Sequence, residues 1–198
     1  DGATSSALLL RFFRAVGSDA RLYVPDRLAE GYGPNGPALR ALRAEGASVV
    51  VTLDCGIVAF EALREAAETG LDVIVVDHHL AAPELPSAHA IVNPNRLDDE
   101  TPHKQLAAVG VTFLLVVAVN RALRESGWYQ DREEPDLLAW LDLIALGTIC
   151  DVVPLTGVNR ALVTQGLNVL SRRGNPGIAA LADVAGINEP PGTYHVGF

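Results

Sequence analysis

Two apolar runs in this 198-residue sequence end in residues that a hydrophobic core has no use for. Residues 48–53 (Ser-Val-Val-Val-Thr-Leu) lead into Asp54, Cys55 and Gly56, and residues 73–76 (Val-Ile-Val-Val) lead into Asp77, His78 and His79. Packing does not explain a carboxylate at the end of a buried strand, because burying an unpaired charge is costly. Taken alone, Asp54 could instead cap a helix beginning near Val58. Three consecutive metal-capable residues at 77–79 are harder to read as a cap. Asp151 is the one charge in the apolar stretch Gly147-Thr-Ile-Cys-Asp-Val-Val-Pro-Leu155, where a helix cap or an arginine partner is the alternative. Asp54, His78 and Asp151 together supply two carboxylates and an imidazole, a mixture suited to a borderline-hard divalent ion such as Mn²⁺. A purely carboxylate set would point to Mg²⁺ and a cysteine-rich one to zinc. Asp1, followed by Gly2 at the mouth of a helix, adds a fourth carboxylate beside N–H groups that can also hold phosphate.

These residues need a scaffold that brings strand ends together, and the first half of the chain predicts one. Helical patterns at 7–16, 38–45 and 59–69 alternate with short β-branched runs at 21–24, 48–53, 73–76 and 90–92, and residues 31–37 form a glycine- and proline-rich loop. Nearly continuous apolar strands alternating with helices predict an α/β fold, a parallel sheet with helices on both faces. Ligands of such sheets gather outside the carboxyl ends of the strands, so chemistry is expected just after Leu53 and Val76. The second half carries helical periodicity at 106–126, 135–147, 160–172 and 177–184, which we read as an α-helical cap with a functional turn inserted at 147–155. The expected organisation is an α/β core over 1–104, a helical part over 105–188, and the start of a linker over 189–198.

Composition narrows the classes. Hydrophobic residues form 49% of the chain, enough for a core without disulfides, and the two cysteines, Cys55 and Cys150, are far apart, which suits a reducing cytoplasm. The longest apolar run, 106–119, has 14 residues against the roughly 20 of a membrane span. The net charge of −9 argues against a stand-alone nucleic-acid binder and leaves two explanations open: carboxylates gathered at a metal, or basic surfaces carried elsewhere. With no Met in the sequence, Asp1 reads as a cut point.

Asp1-Gly-Ala-Thr-Ser5, Thr52-Leu-Asp-Cys-Gly-Ile57, Val76-Asp-His-His-Leu80 and the 147–155 stretch stand in the order of the four motifs of the DHH phosphoesterase superfamily. The sequence resembles its RecJ-like branch in Glu30-Gly-Tyr-Gly33, Ile91-Val-Asn-Pro-Asn95, Ala108-Val-Gly-Val-Thr-Phe113 and Asn159-Arg-Ala-Leu-Val-Thr-Gln-Gly166. The resemblance implies a binuclear Mn²⁺ site, with Mg²⁺ as a substitute, and 5′-to-3′ hydrolysis of single-stranded DNA in repair and recombination. It implies that Asp54 bridges the metals, that Asp1, His78 and Asp151 complete the second metal's shell, that His79 faces the scissile phosphate, and that Asp77 orients His78. It further implies single-strand-binding protein and a helicase as partners, no membrane, a first motif beginning upstream of Asp1, and a DHH-associated domain beyond residue 198. A fragment of that kind is expected to be weakly active or inactive.

Rival enzyme readings share the same ligands: an oligoribonuclease or nucleotide phosphatase, a cyclic-dinucleotide phosphodiesterase, or a manganese pyrophosphatase. A non-catalytic scaffold is a further alternative, against which the intact Asp54, His78, His79 and Asp151 argue, since a scaffold has no need of charged groups at strand ends. Cys55 and Cys150, where the family more often has Asn and Ala, read as small buried fillers, with oxidisable neighbours of the metal as the alternative. His89, His103 and His195 read as surface residues, and Arg11, Arg14, Arg40 and Arg43 as solvated helix faces. Tyr32 is the aromatic residue to test for base contact.

Overall fold

The computed structural model describes residues 1–197. They divide into two compact units, one of Gly2 and Arg21–Lys104, the other of Asp1, Ala3–Ala20 and the chain from Gln105 onward. Along the sequence the elements are α1 (Gly2–Ala15), α2 (Arg27–Glu30), α3 (Gly36–Ala44), β1 (Val49–Leu53), α4 (Phe60–Glu68), β2 (Asp72–Val76), β3 (Ala90–Val92), α5 (Ala108–Glu125), α6 (Leu141–Cys150), α7 (Gly157–Leu170), α8 (Pro176–Val184) and α9 (Thr193–Gly197). A 3₁₀ turn over Leu137–Trp140 leads into α6.

The first unit is a parallel sheet in the order β1-β2-β3 with α3 and α4. In β2, Val73 and Val75 point to one face and meet Leu39 of α3 and Leu63 and Ala66 of α4 in a core that also holds Leu71. The alternation of side chains along a strand puts Asp77 on the same side as Val75, and Asp77 is correspondingly 1% exposed. Asn35 starts α3 by accepting the N–H of Ala38 at 2.9 Å, with Pro37 in the first turn. Arg40 pairs with Glu65, and Arg43 donates to the carbonyls of Thr69 and Ala47, so these two arginines tie α3 to its surroundings and are not merely solvated. The expected strand at 21–24 does not form. Those residues pair with none of the three strands, and a strand without a neighbour has nothing to satisfy its backbone.

The second unit is helical and centres on α6, whose residues 141–145 and 147–149 are buried. A helix that is apolar all round belongs in an interior, and α6 packs against α5, α7 and α9. Gly166 of α7 makes the α6–α7 crossing close: a Cβ there would come within 2.6 Å of the Ala145 Cβ and collide with the Leu141 carbonyl. Two expectations change here. The helix expected at 135–147 starts as the 3₁₀ turn and runs on through Cys150, so the first four residues of the expected 147–155 turn are helical. From Ala3 on, α1 groups with the helical unit and not with the sheet. The expected linker carries the short α9, and its last residue, Phe198, lies outside the described residues. Among the described residues no helix is long and apolar enough to cross a membrane.

Leu63→Ala is expected to destabilise the protein by about 2–5 kcal/mol, the usual cost of a buried leucine lost with incomplete collapse. Urea unfolding measures it; a loss under about 1 kcal/mol would contradict α4 as the cover of the sheet.

Candidate metal centre

The register of the sheet decides where the site lies. Leu53 stands opposite Val76, and Val76 opposite Val92, so all three strands end on one level. The ladder continues one bond further, with Asp54 N–H donating to the Val76 carbonyl and Asp77 N–H to that of Val92. The residues that follow the three strands are Asp54, Asp77 and Asn93.

Asp54 takes a left-handed backbone, φ 62°, a conformation that aspartate tolerates better than most residues. This aims its carboxylate back over the strand ends. One oxygen accepts the N–H of Gly2 at 2.8 Å and the other lies 3.3 Å from His78 Nε2. Burial pushes this carboxyl up, but hydrogen bonding from His78 and from the Gly2 N–H outweighs it and holds the group below its ordinary range. Asp54 is no helix cap, since the residue before α4 is Ala59 and no side chain caps that helix. Asp54, His78 and His79 each offer a ligand atom, all within 4.8 Å of one another. A partly buried carboxylate and two imidazoles gathered in this way fit a borderline divalent cation.

Asp77 holds the main chain of both histidines, and the ring it engages is that of His79, where the resemblance implied His78. One of its oxygens accepts the main-chain N–H groups of His78 and His79 at 2.8 and 3.2 Å and lies 2.6 Å from His79 Nδ1, while the other accepts the N–H of Ile57 at 3.0 Å. The chain has left β2 at this point, and the local turn explains it: an aspartate that accepts the N–H groups one and two residues on brings the His79 ring onto the same oxygen, while His78 Nε2 lies 3.3 Å from Asp54. A carboxylate already accepting three N–H groups is an acceptor for the ring as well, so Nδ1 carries the proton and His79 Nε2 is left for other partners.

In the helical unit the Asp1 carboxylate receives the N–H groups of Ala108 and Val109, at 2.5 and 3.1 Å, where the start of α5 favours a negative charge. Asp151 follows the last residue of α6, the end of a helix that disfavours an anion. Carboxylate oxygens of Asp1 and Asp151 lie within 4.8 Å of each other. Gly147 leaves room for this arrangement: a Cβ there would strike Thr4 and come within 2.9 Å of the Asp1 carboxylate.

The remaining histidines stay outside these groups. His89 lies 3.4 Å from Asp72 and His195 3.2 Å from Glu189, and His103 is exposed. Arg11 stacks on Trp140 at 5.3 Å. Tyr32 is 66% exposed, with Arg27 5.4 Å from its ring centre, and its hydroxyl donates to the Asp54 carbonyl at 3.4 Å. Sequence reasoning gave no role to Asn93 and Asn95, which donate to the carbonyls of His79 and His78. Their signal was the segment 91–95, noted for resemblance alone.

The cysteines differ from each other. Cys55 is partly buried, its thiol donates to the Leu53 carbonyl at 3.4 Å, and burial followed by the charges of Asp77 and Asp54 pushes its pKa up to about 11. Cys150 is exposed, which corrects its reading as a buried filler. At about pH 8, iodoacetamide is expected to label Cys150 well before Cys55, as followed by peptide mass spectrometry; equal rates would contradict the protected, protonated state of Cys55.

The family model described as the DHH family, N-terminal domain, matches residues 1–148. The chain is 45% identical over 189 residues to the single-stranded-DNA-specific exonuclease RecJ of Salmonella typhimurium, covering 93% of this chain and 33% of that protein. A crystal structure of exonuclease RecJ bound to manganese matches with a TM-score of 0.82 at 35% identity, covering 98% of this chain and 47% of that one. RecJ from Thermus thermophilus in complex with Mn²⁺ matches with a TM-score of 0.78 at 32% identity, over 100% and 26% of the two chains. The chain thus spans between 22% and 33% of the length of the curated relatives it matches. Its ordered motifs, its level parallel strands and the matched region agree, and the chain belongs to the DHH family.

Proposed function

We propose that the chain is the DHH part of an enzyme that degrades single-stranded DNA from its 5′ end by hydrolysing phosphodiester bonds, with Mn²⁺ as cofactor and Mg²⁺ as a substitute. The observation that carries this reading is the set of three strand ends in register, which gathers Asp54, His78 and the Asp77–His79 pair at one edge of the sheet. Similarity to RecJ proteins, including manganese-bound structures, supports the substrate and the ion.

Asp54, His78, Asp1 and Asp151 are the proposed metal ligands. Bound divalent ions lower the pKa of a water and neutralise charge on phosphoryl oxygens. Asp54, held ionised by its donors, contributes a carboxylate throughout the neutral range. His78 offers Nε2 beside it. His79, fixed through Nδ1 by Asp77, presents Nε2 to a non-bridging phosphate oxygen or to the proton in transit. A cytoplasmic setting in DNA repair and recombination, with single-strand-binding protein and a helicase as partners, completes the proposal.

The test compares single-stranded DNA, short RNA and pyrophosphate as substrates of the full-length protein with Mn²⁺. Single-stranded DNA is expected to be the preferred substrate. Asp54→Ala is expected to abolish Mn²⁺-dependent degradation, and His79→Ala to lower the rate about 100-fold or more while the protein still binds Mn²⁺. Undiminished degradation by Asp54→Ala, or a preference for pyrophosphate, would contradict the reading.

A further inference from the structure

His78 and His79 lie outside every helix and strand, so no regular ladder fixes their main chain. Three side chains do so instead. Asp77 takes both N–H groups. Asn95 Nδ2 donates to the His78 carbonyl at 2.5 Å, and Asn93 Nδ2 donates to the His79 carbonyl at 2.9 Å. Both N–H groups and both carbonyls of this partly buried dipeptide thereby have side-chain partners.

The asparagines are themselves held. Asn93 follows β3, is 3% exposed, and its Oδ1 accepts the Asn95 N–H at 2.7 Å. Asn95 Nδ2 reaches a second carbonyl, that of Lys104, at 3.1 Å. With its oxygen taken by an N–H, the Asn93 amide can only present its nitrogen to His79, so its orientation follows from its partners. Because Val92 stands level with Val76, the residue after β3 begins this support beside the residue after β2.

We propose that Asn93 and Asn95 are positioning residues for the histidine pair: they fix the main chain of His78 and His79 so that the rings meet a divalent cation and its phosphate ligand without reordering. This rests on the metal reading above. Each asparagine acts through a histidine carbonyl and not as a ligand.

Asn93→Asp and Asn95→Asp separate positioning from bulk and from charge. Each keeps the shape of the side chain but replaces the donor with an acceptor facing a carbonyl. At position 93 the oxygen that receives the Asn95 N–H is retained, so the local turn survives. An added negative charge by itself would tighten a cation, so weakened binding reports lost geometry. Asp98→Asn, altering a residue paired with Arg96 in the same loop, serves as the control.

Two readouts are taken on the full-length protein. In the metal-free form, hydrogen exchange at the His78 and His79 amides is expected to accelerate about tenfold or more in both variants, while the Val73 and Val75 amides keep their protection. By titration calorimetry, Mn²⁺ affinity is expected to fall about 10–100-fold, the usual effect of removing a group that orients a ligand. Asp98→Asn is expected to change neither. Unchanged exchange in the two variants, or faster exchange with Mn²⁺ affinity equal to or above wild type, overturns the positioning role. If wild type itself binds no Mn²⁺, the metal reading fails; faster exchange in the variants then still supports the asparagines as the clamp of the dipeptide, and unchanged exchange overturns that too.

Discussion

The parallel register that ends β1, β2 and β3 on one level is the constraint on which the candidate site depends. Leu53, Val76 and Val92 are aligned across the sheet, and the residues following them are two carboxylates and an asparagine. A slip of one residue in β2 would exchange its faces, bringing Val73 and Val75 out of the α3–α4 core and Asp77 with them. Burial of those valines therefore fixes the register, and the register fixes the site. Hydrophobic packing and chemistry are linked here through strand geometry alone.

Charge near such a core has to be matched, and the two strand-end aspartates solve this differently. Asp77 is nearly inaccessible and is matched internally, by three main-chain N–H groups and an imidazole. This is the dense hydrogen bonding that a buried carboxylate requires. Asp54 is less enclosed and keeps an oxygen beside His78 Nε2, with a backbone conformation rare outside glycine. One carboxylate is thus structural in its partners and positioning in its effect, while the other is aimed outward with a nitrogen ligand beside it. In the helical unit, Asp1 at the start of α5 and Asp151 at the end of α6 form a similar contrast, since only the first is stabilised by its helix.

Much of this could be read from the sequence because it follows from local pattern. The runs at 48–53 and 73–76 became β1 and β2 within one residue at each end, and 90–92 became β3 unchanged. Asp54, His78 and His79 stand out by their position after such runs. What could not be read depends on partners distant in sequence. Residues 21–24 have strand-like chemistry and no strand to pair with. The apolar α6 runs through Gly147 because the tight packing around it requires a residue without a Cβ. The ring partner of Asp77 depends on the turn that follows β2, in which one carboxylate oxygen takes the next two N–H groups and the His79 ring together. Asn93 and Asn95 act through main-chain carbonyls, and a pattern of side-chain types carries no mark of that.

Anomalous scattering at the manganese edge, from crystals of the full-length protein grown with Mn²⁺, locates the ion relative to the strand ends. A manganese peak is expected within bonding distance of the Asp54 carboxylate and His78 Nε2, at the level ends of β1 and β2. Strong manganese peaks elsewhere, with none beside these two side chains, would contradict it.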